Sequence, residues 1–301
     1  MYAFLVNQNA ANGRALKVWM KIKPILDERQ VRYHIHVARD VDDAFNFIQT
    51  LPPHVSTLVL VGGDGTVQRV LGEAQRRNLH LGLIPAGSGN DLARAMGIPL
   101  DPRRALEHLL RGTACSMDVI DCNQQLYATA IGVGLDGTIA YTVNHSWYKK
   151  WLNRFGLGRA AYVIALFQVL CHFKPRSVDV YLDQSCEHLT GVWLISVHNC
   201  PSYGGGMKLC PQADFQDGRL NVCVVQHLNR LQLIRMFPKV YRGTHVGHPA
   251  IRMFAATKVR IDAADAMLAH GDGELVGSTP IVVEIKPAAT YIVGFENRPE
   301  H

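Results

Sequence analysis

The first third of the chain alternates short apolar runs with segments of helical spacing. Apolar runs predict buried strands at residues 2–6, 33–37, 57–61 and 81–84. Between them, apolar residues spaced as on one face of a helix predict helices at residues 14–29, 42–51, 66–76 and 92–96. Alternating strands and helices of this kind favour a mostly parallel sheet covered by helices on both faces.

The pattern changes near residue 115, where segments typical of strands begin to follow one another. They lie at residues 117–121, 126–132, 177–182, 192–197 and 220–225, interrupted by helical segments at 160–172 and 231–241. Consecutive strands predict an antiparallel sandwich. We therefore expect a Rossmann-like α/β nucleotide-binding domain at residues 1–115 and a β-rich, sandwich-type domain at 116–301, with a shared rigid cleft. Whether the last strand, at residues 291–295, returns to the first domain stays open.

Composition agrees with two globular domains and limits the kind of partner. The chain has 301 residues, of which 48% are hydrophobic and 19% charged. A formal net charge of +6 predicts a surface that attracts anions such as nucleotides, phospholipid headgroups or nucleic acid. No run of five Lys or Arg residues occurs, which argues against nucleic acid as a partner. The sequence does not determine the oligomeric state.

Cysteine usage and hydropathy indicate where the protein acts. The seven cysteines form an odd set without a C-x-x-C pair, which favours reduced thiols and a cytoplasmic location. The N-terminus lacks the basic and apolar regions of a signal peptide. The longest apolar stretch, at residues 160–170, is shorter than the ~18 residues that a membrane-spanning helix needs. We therefore expect any membrane association to be peripheral.

A glycine-rich turn follows the third predicted strand and precedes a helix. It reads Gly62-Gly63-Asp64-Gly65-Thr66. Glycines allow the backbone to approach an anion closely, and N–H groups at a helix start point toward it. In this interpretation Asp64 holds Mg²⁺ or orients a triphosphate. The alternative is a tight strand-to-helix turn in which Asp64 caps the helix.

A second turn of this kind follows the fourth predicted strand. It reads Pro85-Ala86-Gly87-Ser88-Gly89-Asn90-Asp91, directly before the next helix. Open α/β sheets bind ligands at the carboxyl ends of their strands, so both turns are expected to face one crevice. Ser88 and Asn90 offer hydrogen bonds to a phosphate or a ribose. Asp91 is either a helix cap or part of a metal's charge network.

These two turns carry a resemblance to a known family. G-G-D-G-T followed by P-x-G-[ST]-x-N-D is similar to the catalytic domain of the diacylglycerol kinase and sphingosine kinase family, in its soluble bacterial form. Three further segments resemble family motifs, and they are Asn7 to Arg14, Pro211 to Gly218 and Gly271 to Glu274. The motifs occur in the family's order along nearly the whole chain.

The resemblance implies a role for each matching residue. It implies Glu274 as the general base, with Asp272 beside it and Asp64 as the third catalytic residue. The residues that it places at ATP are Asn7, Asn9, Gly13, Arg14, Gly62, Gly63, Asp64, Gly65, Thr66, Ser88, Gly89, Asn90 and Asp91. Without the companion motifs, Asp272-Gly273 reads as a plain hairpin turn and Glu274 as a solvated strand residue.

The resemblance also implies a structural Mg²⁺ site and a nearby charge network. The site maps to the Asp217 carboxylate and to backbone oxygens around Asp214 and Arg219, since oxygen ligands suit this cation. Asp118 maps to an aspartate of the family's charge network. The alternative is that Asp217-Gly218 forms a plain turn before a strand.

Two departures from the family pattern concern the nucleotide. Gln8 and Ala11 replace a proline and a glycine of the first loop, and Ala38 or Arg39 stands where the family has a threonine. We expect nucleotide affinity or selectivity to differ from the family's.

Aromatic and basic residues alternate at positions 147–155, directly before the apolar run 160–170. Such mixtures suit a membrane interface, since Trp and Tyr favour the headgroup region and Lys and Arg are drawn to anionic lipids. We expect segment 147–170 to contact the bilayer; the alternative is an ordinary helix with a packed aromatic face. A G-x-G-x-x-G match at residues 132–137 lies among consecutive strands, so it does not predict a dinucleotide site.

The predicted activity is transfer of the γ-phosphoryl group of ATP, with Mg²⁺, to a hydroxyl group of a membrane lipid, with diacylglycerol as the first acceptor. One alternative is an enzyme similar to NAD kinase, which shares the G-G-D-G-T turn. The other is a catalytically silent lipid-binding regulator recruited to the membrane.

Overall fold

A computed structural model describes residues 1–10, 12–148, 152 and 158–295. The chain divides into two compact units. The N-terminal unit comprises residues 1–117 together with the C-terminal segment that begins at Ala288, and the C-terminal unit comprises residues 118–287. Ala11 and residues 149–151 and 153–155, which the sequence analysis singled out, lie outside the described residues.

The N-terminal unit contains a parallel sheet flanked by helices. Its strands are β1 (Tyr2–Asn7), β2 (Tyr33–Ala38), β3 (Thr57–Gly62) and β4 (His80–Pro85). Strand β1 lies between β2 and β3, and β4 pairs with the far side of β3. Every residue of β3 is buried, as expected for a central strand with helices on both faces. The predicted α/β fold is confirmed.

Among the described residues, five helices belong to the N-terminal unit. They are α1 (Arg14–Glu28), α2 (Val41–Thr50), α3 (Asp64–Arg76), α4 (Asp91–Ala95) and α5 (Pro102–Arg111). Helix α5 is absent from the sequence prediction, although its residues Ala105, Leu106 and Leu109 are buried on one face. Asp101 caps it by accepting backbone N–H bonds from Arg103 and Arg104, and Pro102 begins it. An aspartate before a proline is a helix start signal that the apolar pattern does not contain.

The C-terminal unit is an antiparallel β-sandwich, and three helices of it lie wholly within the described residues. The remaining strands are β5 (Thr113–Cys122), β6 (Gln125–Tyr127), β7 (Ala130–Gly134), β8 (Arg176–Leu182), β9 (Ser185–His198), β10 (Leu220–Gln226), β11 (Ile251–Ala256), β12 (Lys258–Ala263), β13 (Leu268–Gly271), β14 (Glu274–Ser278) and β15 (Ile281–Phe295). The helices are α6 (Leu135–His145), α7 (Gly158–His172) and α8 (Arg230–Arg242). The predicted sandwich is confirmed.

The long strand β9 organises this sandwich. Its first half pairs with β8, and its second half lies between β7 and β10. Gly191, with φ of +61°, lies where the pairing changes. Strand β13 pairs with β7 on one side and with β14 on the other. Buried aliphatic residues of these strands form the core, among them Val180, Ile195, Val197 and Val222.

The final strand, β15, has residues in both units. The first part of β15 pairs antiparallel with β12, whereas Ile292 and Val293 pair in parallel with Leu81 and Gly82 of β4. The last strand therefore extends the sheet of the N-terminal unit.

The prediction of one strand over residues 126–132 is wrong. The apolar run is broken at Ala128 and Thr129, which separate β6 from β7. Helix α6 then begins directly after Gly134, whose φ of +89° favours glycine. The G-x-G-x-x-G match thus spans a strand end and a helix start, but β7 has antiparallel neighbours, unlike the strands of a βαβ unit.

Candidate active-site residues

The loop after β1 is held by side-chain hydrogen bonds at the carboxyl edge of the parallel sheet. Asn7 Nδ2 donates to Thr66 Oγ1 at 2.9 Å, which links the end of β1 to the first turn of α3. Asn9 Nδ2 donates to the Arg39 carbonyl at 2.6 Å, at the end of β2. Gly13 precedes α1 with φ of +81°, and Arg14 is the exposed first residue of that helix. The three strand ends are thus connected through polar side chains.

The two glycine-rich turns touch through their backbones. A Cβ atom on Gly63 would lie 2.7 Å from Gly87 Cα, so the space admits no side chain. The Ala86 N–H donates to the Gly62 carbonyl at 2.7 Å. The structure therefore joins the turns after β3 and β4 into one continuous surface of backbone groups.

Asn90 shapes the second turn. Its φ of +55° is left-handed, a conformation that asparagine tolerates better than most residues. The side chain accepts from the Gly87 N–H at 2.8 Å and donates to the Gly87 carbonyl at 3.0 Å. These bonds curl the turn so that Ser88 is exposed. A contact between Asn90 and a ligand stays a prediction.

Asp64 caps the helix of the neighbouring turn and not its own helix. Asp64 Oδ1 accepts from the Leu92 N–H of α4 at 3.1 Å, while Gly63 precedes α3 without a side-chain cap. A Cβ atom on Gly89 would lie 2.9 Å from Asp64 Oδ2 and 3.1 Å from Asp91 Oδ2. Because Gly89 has no side chain, the carboxylates of Asp64 and Asp91 lie next to the position that its Cβ atom would occupy. Two carboxylates with phosphate oxygens form the ligand set that Mg²⁺ commonly takes.

In the C-terminal unit, Asp272 and Gly273 form the turn between β13 and β14. Both have positive φ, of 49° and 89°, as a two-residue type I′ hairpin requires. The Asp272 carboxylate accepts N–H bonds from Ala128, Thr129 and Ala130 at 2.8, 3.1 and 3.1 Å, and a further bond from the Thr129 hydroxyl. Four donors match the roughly four lone-pair sites of a carboxylate. Asp272 therefore anchors the turn.

Glu274 is the first residue of β14, directly after this turn, and is half-buried. On the other side of the turn, Asn144 Nδ2 of α6 donates to the Gly273 carbonyl at 3.0 Å. Burial raises the pKa of Tyr127, and the negative charges of Asp272 and Glu274 add to the effect, so this phenol stays protonated.

A buried polar network next to this hairpin was missed by the sequence analysis. Asp136 Oδ2 accepts from His270 Nε2 at 2.9 Å and from the Tyr203 hydroxyl. Burial opposes a charge on His270, but the negative charge of Asp136 and the hydrogen bond to it raise the pKa of His270. Tyr203 packs against the ring of His198, whose pKa burial lowers to about 4. The Asp136 contact thus favours the charged form of His270, whereas burial favours the neutral form of His198.

The predicted structural Mg²⁺ loop places three acids near one another. Asp118 is buried, and its Oδ2 accepts from the Gly218 N–H at 2.7 Å. Burial raises the pKa of Asp217, and the charges of Asp214 and Asp118 raise it further. A cation would relieve this repulsion. Within the described ranges no three His, Cys, Asp or Glu side chains are arranged to hold a metal alone, so such an ion would need backbone oxygens. The Arg219 N–H donates to Asp217 Oδ1 at 2.8 Å.

Comparisons with known proteins identify the family. Residues 1–122 match the diacylglycerol kinase catalytic domain, and residues 129–294 match the YegS C-terminal NAD kinase beta sandwich-like domain. The chain belongs to the diacylglycerol kinase family of lipid kinases. The recognised family and the enzyme class, a phosphotransferase with an alcohol acceptor, are therefore confirmed.

Two relatives of this lipid kinase align with most of its length. A diacylglycerol kinase of Mycobacterium tuberculosis is 29% identical over 304 residues, covering 99% of this chain and 94% of the relative. A diacylglycerol kinase of Bacillus subtilis is 29% identical over 227 residues, covering 74% of this chain and 72% of the relative. These alignments agree with membership of the lipid kinase family.

Solved structures share the fold of this lipid kinase. A diacylglycerol kinase from Bacillus anthracis superposes with a TM-score of 0.73 at 19% identity, covering 98% of this chain and 97% of that one. An NAD kinase from Archaeoglobus fulgidus in complex with ATP gives a TM-score of 0.52 at 12% identity, covering 99% of this chain and 94% of that one. Because residues 1–122 match the diacylglycerol kinase catalytic domain and the relatives are diacylglycerol kinases, the NAD kinase alternative is the weaker one.

No helix among the residues that the structure describes is both long enough and apolar enough to cross a membrane.

Proposed function

We propose that this lipid kinase transfers the γ-phosphoryl group of ATP, with Mg²⁺, to a hydroxyl group of a membrane lipid, with diacylglycerol as the first acceptor. The observation that carries this proposal is the pair of carboxylates, Asp64 and Asp91, that flank Gly89 where two glycine-rich turns touch. Phosphoryl transfer depends mainly on positioning the phosphates and on neutralising their charge. The turns offer backbone N–H groups that can position phosphates and carboxylates that can bind the neutralising Mg²⁺. The diacylglycerol kinases among the relatives support the choice of acceptor.

The N-terminal unit is proposed to bind ATP. Backbone N–H groups at the start of α3 and in the turn after β4 would receive the phosphates, since helix starts favour anions. Gly62, Gly65, Ser88 and the loop from Asn7 to Arg14 would surround them. Arg14 adds a positive charge at the start of α1.

Asp64 and Asp91 would hold a Mg²⁺ ion that neutralises the charge of the transferring phosphate. Asp217, with backbone oxygens around Asp214 and Arg219, would hold the structural ion, and Asp118 would anchor that loop through its bond to Gly218. Burial raises the pKa of Asp217, and the charges of Asp214 and Asp118 raise it further. A cation would relieve this repulsion, which supports the second assignment.

Glu274 of the C-terminal unit is proposed as the general base. As the lipid hydroxyl oxygen bonds to the γ-phosphorus, Glu274 takes the hydroxyl proton, the bond to the β-phosphate oxygen breaks, and ADP leaves. General bases typically contribute ~10² to 10⁴ to the rate. The fixed turn before Glu274 supports this role, because a base must lie within hydrogen-bond reach of the proton that it takes.

Segment 147–170 is proposed to contact the bilayer. Trp147 is 82% exposed, and large apolar side chains on α6 and α7 are also exposed. These side chains are Tyr141, Tyr162, Val163, Ile164 and Phe167. Aromatic residues favour the headgroup region of a membrane. Their exposure weighs against the alternative of a packed aromatic face.

The membrane contact is tested by sedimentation with anionic phospholipid vesicles. Trp147→Ser combined with Phe167→Ser should reduce vesicle binding severalfold. Leu231→Ser is the matched control, since Leu231 is an exposed apolar residue of α8 outside the segment. Unchanged binding of the double variant would exclude the proposed surface.

The activity is tested by transfer of labelled γ-phosphate from ATP with Mg²⁺, using wild type and Asp64→Ala. Acceptors are diacylglycerol, phosphatidylglycerol, a sphingoid base and ceramide in mixed micelles, with NAD as a soluble acceptor. Transfer to one lipid that the variant abolishes supports the proposal and names the acceptor. Transfer to NAD alone supports the NAD kinase alternative, and no transfer at all supports a silent regulator.

A further inference from the structure

A break in the sandwich provides a rigid base for the hairpin that carries Glu274. Between β6 and β7, the N–H groups of Ala128, Thr129 and Ala130 all donate to the Asp272 carboxylate. Buried backbone groups without partners would be costly, so the break and the carboxylate stabilise each other. The carbonyl groups of Ala128 and Thr129 accept from Asn199, directly after β9. The break is therefore held on both sides.

Thr129 adds a side-chain donor to the Asp272 carboxylate. Its hydroxyl donates to Asp272 Oδ1, and the residue is 4% exposed. Hydrogen bonds to an ionised carboxylate are about twice as strong as bonds between neutral groups. Thr129 therefore restricts how the carboxylate, and with it the turn, can rotate.

Asn144 holds the same turn from the opposite side. Its side chain, on helix α6, donates to the Gly273 carbonyl, the group that directly precedes Glu274 in the chain. The side chain of Tyr162 on α7 lies beside the same glycine, because a Cβ atom there would be 3.8 Å from the tyrosine hydroxyl. The two residues before Glu274 are thus fixed by separate parts of the C-terminal unit.

We propose that Thr129 and Asn144 are positioning residues that set where the Glu274 carboxylate lies, an inference that rests on the proposed role of Glu274 as the base. The physical reason is the steep dependence of proton transfer on geometry. A shift of 1 Å in a reacting group can cost ~10²-fold in rate. Neither residue needs to touch the lipid or ATP to have this effect.

Thr129→Val and Thr129→Ser separate positioning from packing. Valine keeps the shape and removes the hydroxyl donor, whereas serine keeps the donor and removes a methyl group. We expect Thr129→Val to lower kcat for lipid phosphorylation by about tenfold with the KM for ATP within twofold, and Thr129→Ser to retain most of kcat. Equal kcat in Thr129→Val and wild type, or equal losses in both variants, would overturn the proposal.

Asn144→Ala provides a second test that survives if Thr129→Val fails to fold. Alanine favours helices, so a loss of kcat could not come from weakening α6. We expect a fall in kcat of several fold with an unchanged melting temperature, while Asn46→Ala on the exposed face of α2 changes neither. Wild-type kcat in Asn144→Ala would contradict the proposal.

Glu274→Gln, assayed in parallel, separates this inference from the proposed function. If Glu274→Gln remains active, the role of Glu274 as base is wrong. If Glu274→Gln is inactive and the Thr129 and Asn144 variants match wild type, the base is right and the positioning role is wrong.

Discussion

The two glycine-rich turns of the N-terminal unit and the Glu274 hairpin of the C-terminal unit are built in different ways. The turns consist of consecutive residues after two adjacent strands, and the touching backbones of Gly63 and Gly87 define them. The hairpin is held by residues far away in the chain, since Thr129 and Asp272 are 143 positions apart. The glycine-rich turns therefore depend on the absence of side chains, whereas the hairpin depends on specific hydrogen bonds to the Asp272 side chain.

The largest expected effect follows from filling the space between the turns. In Gly63→Ala the new Cβ atom would lie 2.7 Å from Gly87 Cα. Because this neighbour is a backbone atom, it cannot move out of the way as the end of a flexible side chain could. We expect phosphoryl transfer to fall at least a hundredfold and the unfolding free energy to fall by about 1–3 kcal/mol. Activity assays and urea unfolding measure the two quantities.

Gly65→Ala is the stability control for this change. No atom lies within 4 Å of the added Cβ, and the residue is in the first turn of α3. We expect its unfolding free energy to stay equal or to rise by up to about 1 kcal/mol, as for Gly to Ala in a helix. Equal destabilisation of both variants would show that close contact between the turns is not the cause.

We expect the hairpin to be destabilised when the Asp272 side chain loses its charge but keeps its shape. Asp272→Asn replaces one oxygen acceptor by an amide that faces backbone N–H groups. Leaving such buried donors unsatisfied costs about 1–3 kcal/mol each in proteins. Urea unfolding should show a loss of that order, together with a fall in kcat.

Asp265→Asn is the matched control. Its carboxylate is 78% exposed and pairs with Arg176 at 3.3 Å, and exposed ion pairs contribute about 0–1 kcal/mol. A loss in Asp265→Asn equal to that in Asp272→Asn would show that general charge, and not the anchored turn, explains the result.

The smallest expected effect is a pH dependence from the network beside the hairpin. The pKa of His270 is raised in the folded protein, so its stabilisation is complete below the unfolded pKa of about 6.5 and is lost as pH rises through the folded value. Asp136 has a lowered pKa, so its stabilisation is lost only in acid. The unfolding free energy of wild type, measured in urea from pH 5.5 to 8.5, should therefore decline relative to that of His270→Gln. Parallel curves would exclude a charged His270.

The same contrast explains what could be predicted from the sequence. Strands β1 to β4 and both glycine-rich turns follow from local patterns, because parallel strands are buried on both faces and glycine marks close backbone approach. The break at Ala128 and Thr129 carries no local signal, since it lies within an apolar run. Its existence depends on the distant Asp272, and the roles of Asn144, Asp136 and His270 likewise depend on tertiary contacts.

The proposed roles of the two units are tested most directly by single-turnover transfer from ATP with Mg²⁺ to diacylglycerol, with Glu274→Gln first saturated with ATP. We predict that this variant binds ATP as wild type does and that its rate constant for transfer falls by about 10² to 10⁴. A rate constant within twofold of wild type would contradict the assignment of Glu274 as the base, and with it the account of the hairpin.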